Sequence, residues 1–129
     1  MTPDSTHPPH RLGRRGETLA ARALVACGWR ILARNYRFGR REVDIVARRG
    51  SLLAFVEVKT RAGDGYGGPE AAVTALKRRE IELVALEYLT RNVRDDVDVR
   101  FDVVAVRLLA DGRIVRVDHI EDAWRPGWT

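Results

Sequence analysis

The chain has 129 residues, a net charge of +5, 45% apolar and 32% charged residues, and one cysteine. These numbers predict a single globular domain, and no apolar run is long enough to cross a bilayer. One cysteine, Cys27, and three histidines exclude a disulfide framework and a zinc site of Cys and His ligands. Residues 1–10 hold three prolines and no apolar signal-peptide segment, so we expect a disordered lead there and a cytoplasmic protein.

The basic residues are unevenly distributed along the chain. Residues 1–61 carry a net charge of +8, whereas residues 62–129 carry a net charge of −3. A strongly basic half indicates attraction to a polyanion, usually a nucleic acid, although a solvated surface in an arginine-rich protein would explain it equally well. Only Lys59 and Lys77 among the 23 basic residues are lysines. A lysine kept against this background indicates a position that needs a compact ammonium group.

Hydrophobic periodicity and turn residues predict the element order α-β-β-β-α-β-β. The predicted elements are a helix over residues 14–27, strands over 29–37, 42–48 and 52–61, a helix from an N-cap at Thr74 to about residue 90, and strands over 97–108 and 113–119. This order predicts an α/β fold with a mixed sheet flanked by helices. The domain is expected to cover residues 11–123, with a tail over 124–129. Asp102, between two apolar strand residues, is expected to face solvent.

The predicted hairpin of the second and third strands carries the candidate chemistry. Gly50-Ser51 favours a two-residue type II′ turn, which makes residues whose numbers sum to 101 face each other. Six apolar residues then share the core face: Val43, Ile45, Ala47, Ala54, Val56 and Val58. The other face opposes Asp44 to Glu57 and Glu42 to Lys59.

Opposed carboxylates destabilise a bare sheet, but a divalent cation between Asp44 and Glu57 would turn them into a site. The alternative is a polar, solvent-facing strand with an ordinary Glu42–Lys59 ion pair. The prediction depends on the turn, because a loop of odd length would put Asp44 and Glu57 on opposite faces of the hairpin.

Three segments stand in order along the chain: residues 41–47 (REVDIVA), 55–61 (FVEVKTR) and 100–106 (RFDVVAV). With residues 13–17 and 67–74, they resemble the YraN-like family of bacterial proteins, which is related to the PD-(D/E)xK nuclease superfamily of restriction endonucleases and Holliday-junction resolvases. The resemblance implies a restriction endonuclease-like αβββαβ core. It also implies metal-dependent hydrolysis of phosphodiester bonds in DNA, with branched or structured DNA as the favoured substrate. Val43 stands where the superfamily often has proline.

Carried over position by position, the resemblance implies that Asp44 and Glu57 bind Mg²⁺ or Mn²⁺. Glu17, on the first helix, matches an additional acid that contacts the metal directly or through water. Lys59 would orient or activate the attacking water. A metal held there lowers the pKa of its water and neutralises charge that develops on the phosphate.

The candidates for nucleic-acid binding follow from charge and position. Lys77 and Arg78 fall in the first turns of the second predicted helix, where the helix dipole disfavours positive charge and a bound phosphate would offset it. Tyr66, in the glycine-rich loop after the third strand, could stack on a base. The other candidates are Arg14, Arg15, Arg40 and Arg41. For each of them the alternative is a solvated surface residue or an incidental loop residue.

Two further function classes stay open at this point. A nucleic-acid-binding module could keep the fold without turnover, but it would gain nothing from opposed carboxylates. An accessory subunit of a DNA-processing complex would act only with a partner nuclease or helicase. Cleavage of both strands of a duplex would favour a homodimer, because a chain of 129 residues covers little DNA.

Overall fold

The computed structural model describes residues 9–62, 73–109, 111 and 113–128. It has the predicted α/β element order. The elements are α1 (Pro9–Ala26), β1 (Arg30–Phe38), β2 (Arg41–Arg49), β3 (Leu52–Ala62), α2 (Ala75–Asn92), β4 (Asp98–Leu108) and β5 (Ile114–Trp124). Within these ranges no helix has the length and apolar character needed to cross a membrane.

Two boundaries differ from the sequence prediction by more than two residues. The first helix begins at Pro9 instead of residue 14, so it includes the end of the segment expected to be a disordered lead; residues 1–8 lie outside the described part. A proline fits the first turn of a helix because an N–H there would lack a partner. The last strand runs to Trp124 instead of residue 119, and the Trp124 ring stacks on Phe101. The predicted tail therefore begins inside the core.

The five strands form one mixed sheet in the order β1-β2-β3-β4-β5. Only β3 and β4 are parallel among these neighbours, and α2 forms the crossover between them. The hairpin of β2 and β3 has the predicted register, with Ile45 opposite Val56 and Ala47 opposite Ala54. Gly50 has a φ of 62°, which the first central residue of a type II′ turn requires. The predicted fold class and turn register are both confirmed.

Helices cover both faces of the sheet. We call these the α1 face, where a buried cluster contains Ala20 and Leu24 of α1, and the α2 face, where a second cluster contains residues of α2 such as Ile81. Five of the six apolar residues predicted for the core side pack on the α1 face: Ile45, Ala47, Ala54, Val56 and Val58. The prediction is wrong for Val43, which packs in the α2 cluster. The α2 face of the sheet is also buried near the hairpin turn, because α2 packs on Val46, Leu53 and Phe55.

Gly16 sets the approach of α1 to the sheet. It is buried, and a Cβ atom at this position would collide with the side chain of Thr60 on β3. Replacing Gly16 by alanine is expected to lower the free energy of unfolding by about 1–3 kcal/mol, because α1 must move away from β3. Urea unfolding followed by circular dichroism measures the change.

Gly13→Ala is the matched control on the same helix, since a Cβ there meets no described atom within 4 Å. Alanine favours a helix more than glycine does, so this control should be neutral or stabilising. Equal stability of the two variants would show that the contact of Gly16 with Thr60 does not limit the packing of α1.

Candidate metal centre

Asp44 and Glu57 lie where β2 and β3 stop pairing regularly. The ladder ends at Ile45 and Val56, one residue short of the predicted Asp44–Glu57 pair. At this point the Asp44 carboxylate accepts a hydrogen bond from the backbone N–H of Val58, with 2.8 Å between Oδ2 and N. A side chain thus takes the place of a ladder bond, which anchors Asp44 against β3.

The predicted Glu42–Lys59 pair is not formed. Glu42 instead binds Arg37 on the neighbouring strand β1, with 3.1 Å between Oε2 and Nε. The Nζ atom of Lys59 lies 3.5 Å from Oε2 of Glu57 on its own strand. The reading of Glu42 as the ordinary partner of Lys59 is therefore wrong, and the ammonium group belongs to the carboxylate site.

The two carboxylates of the site are close together and shielded from water. Burial, and next the charge of Glu57, raise the pKa of Asp44 to about 7, while the bond from Val58 N–H acts in the opposite direction. Glu57 is only 5% exposed, and its Oε1 is buried without a hydrogen-bond partner in the described part of the chain. Burying an unpartnered carboxylate oxygen is unfavourable, and a cation bound at Oε1 of Glu57 would remove this cost.

These residues fit a divalent cation of the Mg²⁺ type. The donors are carboxylate oxygens from Asp44 and Glu57, which are the ligands that Mg²⁺ and Mn²⁺ prefer. No group of three or more His, Cys, Asp or Glu side chains is arranged for metal binding within the described ranges. Two carboxylates are nevertheless enough for Mg²⁺, which usually keeps water and takes substrate phosphate oxygens as further ligands.

Glu17 lies near the pair, on α1, and is held by residues of β1. Asn35 Nδ2 donates to Glu17 Oε1 at 2.9 Å, and Arg34 Nη2 lies 4.0 Å from the same oxygen. Burial raises the pKa of Glu17; the bond from Asn35 lowers it, and the charge of Asp44 raises it further. The role of Glu17 as a metal ligand stays a prediction. The sequence analysis did not identify Asn35 as part of the site. Its backbone has a φ of 53°, a conformation that asparagine tolerates better than most residues.

The start of α2 confirms one prediction and places one basic residue near the carboxylates. Thr74 is the N-cap, and its hydroxyl accepts a hydrogen bond from the N–H of Lys77 at 3.2 Å. Lys77 therefore lies in the first turn, and its positive charge lowers the pKa of Asp44. This placement is consistent with a phosphate-binding role for Lys77.

The other predicted nucleic-acid-binding residues are spread over the molecule. Arg78 packs inward, where its Nε donates to the carbonyl of Val73 at 3.0 Å and its guanidinium lies 5.5 Å from the centre of the Trp124 ring. Four exposed arginines lie on α1 and at the turn between β1 and β2: Arg14, Arg15, Arg40 and Arg41. Tyr66 lies outside the described residues. Contacts of these side chains with nucleic acid stay predictions.

Asp102 is fully buried, so the expectation that it faces solvent is wrong. Its carboxylate accepts two bonds from Arg100 at 2.8 Å, lies 2.7 Å from His119 Nε2, and accepts the N–H of Asp122 at 3.0 Å. Burial by itself would raise the pKa of Asp102, but the bonds from His119 and Arg100 hold it below its usual value. Asp122 has a φ of 53° where the register of β5 against β4 shifts. The Asp102 carboxylate therefore supplies a hydrogen-bond acceptor to the irregular part of β5.

Comparison with known proteins places the chain in a bacterial family. Residues 16–106 match the family described as "Uncharacterised protein family UPF0102". A UPF0102 protein of Geobacter sulfurreducens is 48% identical over 121 residues, which cover 94% of each chain. A UPF0102 protein of Rhodococcus opacus is 48% identical over 113 residues, or 88% of this chain and 95% of its own.

A solved structure is also similar, at a much lower level. It is SfsA of Pyrococcus furiosus in complex with Ca²⁺, with a TM-score of 0.36 and 15% identity over 82% of this chain and 61% of that one. This TM-score is too low to support any conclusion about function.

Proposed function

This chain belongs to the uncharacterised protein family UPF0102, the YraN-like family, and on that premise we propose that it is a nuclease that hydrolyses phosphodiester bonds with Mg²⁺ or Mn²⁺. The observation that carries the proposal is the close pair of a half-buried Asp44 and a buried Glu57, whose Oε1 has no partner and whose Oε2 lies beside Lys59. Strongly shifted carboxyl groups with a nearby cationic side chain are typical of functional sites. If the two carboxylates only stabilised the sheet, Glu57 would not be expected to raise the pKa of Asp44.

The chain's own residues have separable roles in this proposal. A bound Mg²⁺ or Mn²⁺ would supply a water of lowered pKa and positive charge for the phosphate oxygens. Asp44 and Glu57 would hold it from two adjacent strands, and the bond from Val58 N–H keeps Asp44 in place. Lys59, 29% exposed, can donate a hydrogen bond to a water or to a phosphate oxygen. Lys77 would add positive charge from the start of α2.

DNA as the substrate, and branched or structured DNA in particular, follows from the resemblance to Holliday-junction resolvases. A mixed sheet flanked by helices is consistent with the restriction endonuclease-like core that these enzymes share. The homodimer and the cytoplasmic location expected from the sequence stay predictions.

Replacing Asp44 by asparagine is expected to abolish both Mn²⁺ binding and metal-dependent hydrolysis, because asparagine keeps the size of the side chain but removes its charge. Calorimetric titration of Mn²⁺ measures the first property. Incubation with a labelled four-way junction and a linear duplex of the same sequence measures the second. Asp96→Asn is the matched control, since Asp96 is exposed after the end of α2, and it should behave like the wild-type protein.

Lys59→Gln separates binding from chemistry in the same experiment. It should keep Mn²⁺ binding and reduce the hydrolysis rate by roughly 10²–10⁴-fold, the range for a group that assists proton transfer. Equal Mn²⁺ binding by the wild-type protein and Asp44→Asn would contradict the metal site. Tight DNA binding by a wild-type protein that binds no metal would instead favour a non-catalytic nucleic-acid-binding module.

A further inference from the structure

A strongly basic cavity adjoins the candidate metal centre. It has a volume of about 130 Å³ and is formed by residues of β3, β4 and β5. Its charged lining residues are Lys59, Arg61, Arg107, Arg116 and Asp118. Lys59 belongs to both places, because its ammonium also lies beside Glu57. The cavity therefore begins at the catalytic lysine of the proposed nuclease.

Three arginines stand side by side across the sheet in this cavity. Arg61 on β3 is the register partner of Arg107 on β4, and Arg107 is the register partner of Arg116 on β5. Like charges directly opposite each other on neighbouring strands destabilise a sheet. Asp118 partly compensates the charge of Arg116 through an ion pair, with 2.7 Å between Oδ2 and Nε. The guanidinium groups of Arg61 and Arg107 have no ion pair or hydrogen bond to any residue of the described ranges.

The position of the cavity matches the course of a substrate strand. Glu57, Lys59 and Arg61 are alternate residues of β3, so their side chains follow one another along one face at steps of about 6.7 Å. Such a step is comparable to the separation of successive phosphates in an extended nucleic acid strand. The planar fork of arginine binds phosphate oxygens through two hydrogen bonds, whereas lysine acts as a point charge.

We infer that this cavity binds the backbone phosphate that neighbours the scissile one in a DNA strand. Arg61 and Arg107 supply the contacts, and Lys59 lies between this subsite and the metal centre. The inference rests on the proposed function for its substrate. The charge of the bound phosphate would compensate the opposed guanidinium groups.

The test is the salt dependence of DNA binding by the double variant Arg61→Gln/Arg107→Gln. A fluorescently labelled single-stranded DNA oligonucleotide is titrated in EDTA, so that hydrolysis and the metal centre do not enter the measurement. We expect weaker binding and a slope of log K against log salt that is less steep by about 0.7, because the cavity contacts one phosphate and each phosphate contact in a single strand contributes about 0.7. Arg61→Gln alone should reduce the slope by about half as much.

Arg22→Gln/Arg94→Gln is the matched control, because it removes the same charge from exposed positions on α1 and beyond α2. It should leave the slope unchanged. The thermal unfolding midpoint of Arg61→Gln/Arg107→Gln should be at least that of the wild-type protein, since an opposed pair of like charges is gone. A normal midpoint excludes misfolding as the reason for weaker binding.

Two results would overturn the subsite. One is an unchanged salt slope in the cavity variant. The other is binding that requires a 5′-phosphate on the oligonucleotide, since this would assign the cavity to a terminal phosphate group. Because the titration contains EDTA, its outcome is independent of the Mn²⁺ titration that tests the proposed nuclease activity.

Discussion

Asp44→Asn is expected to be more stable than the wild-type protein by about 4 kcal/mol in the absence of metal at about pH 8. The pKa of Asp44 is raised from 3.8 to about 7, because of burial and the neighbouring charge of Glu57. Folding at high pH therefore forces an unfavourable ionisation, at about 1.4 kcal/mol for each pKa unit. Asparagine has no charge to ionise and keeps an oxygen that can accept the bond from Val58 N–H.

The sign of the pH dependence is specific to a raised pKa. The stability that protonated Asp44 contributes is fully present below about pH 4 and is lost as the pH rises through about 7. Urea unfolding in EDTA across this range should therefore show the advantage of Asp44→Asn growing with pH. Asp96→Asn, with an exposed carboxylate, should show no such trend. A difference between Asp44→Asn and the wild-type protein that does not vary with pH would argue against the buried carboxylate pair.

Mn²⁺ should narrow the stability advantage of Asp44→Asn. A metal at about 100 times its dissociation constant stabilises the protein that binds it by about 2.7 kcal/mol. Only the wild-type protein should gain this, because Asp44→Asn lacks one of the two ligands. An equal response of both proteins to Mn²⁺ would place the metal elsewhere.

Asp102→Asn is expected to lower the free energy of unfolding by about 3–5 kcal/mol, the range for breaking a buried ion pair. The substitution removes the counter-charge of Arg100, whose side chain is 17% exposed, and weakens the contacts with His119 and the irregular part of β5. Urea unfolding at neutral pH measures the loss. The stability that Asp102 contributes is present above its ordinary pKa and is lost as the pH falls through its lower folded pKa. The two proteins should therefore converge in stability under strongly acidic conditions.

Asp118→Asn is the matched control for Asp102→Asn. Asp118 binds Arg116, two residues before it, just as Asp102 binds Arg100, but both side chains of this second pair are exposed to solvent. Exposed ion pairs contribute at most about 1 kcal/mol. Equal destabilisation by the two substitutions would show that burial does not determine the contribution of the Arg100–Asp102 pair.

The centre of the candidate site could be predicted from the sequence because it is local. A two-residue turn at Gly50 determines the register of β2 and β3, and strand alternation then places Asp44 near Glu57 and Lys59. The same reasoning could not show that the ladder stops at Ile45, because that depends on Asp44 capturing a backbone N–H across the hairpin. Local turn and alternation rules could not predict the contacts of Glu17 either, since these depend on how closely α1 approaches the sheet.

The sequence by itself determined the element order, the hairpin register and the start of α2 at Thr74, because short-range turn, capping and alternation rules govern each of them. The tertiary structure alone decided the burial of Asp102 and the row formed by Arg61, Arg107 and Arg116. These features depend on which strands become neighbours and in what register. The parallel pairing of β3 with β4 arises through the α2 crossover, over distances along the chain that no local pattern encodes.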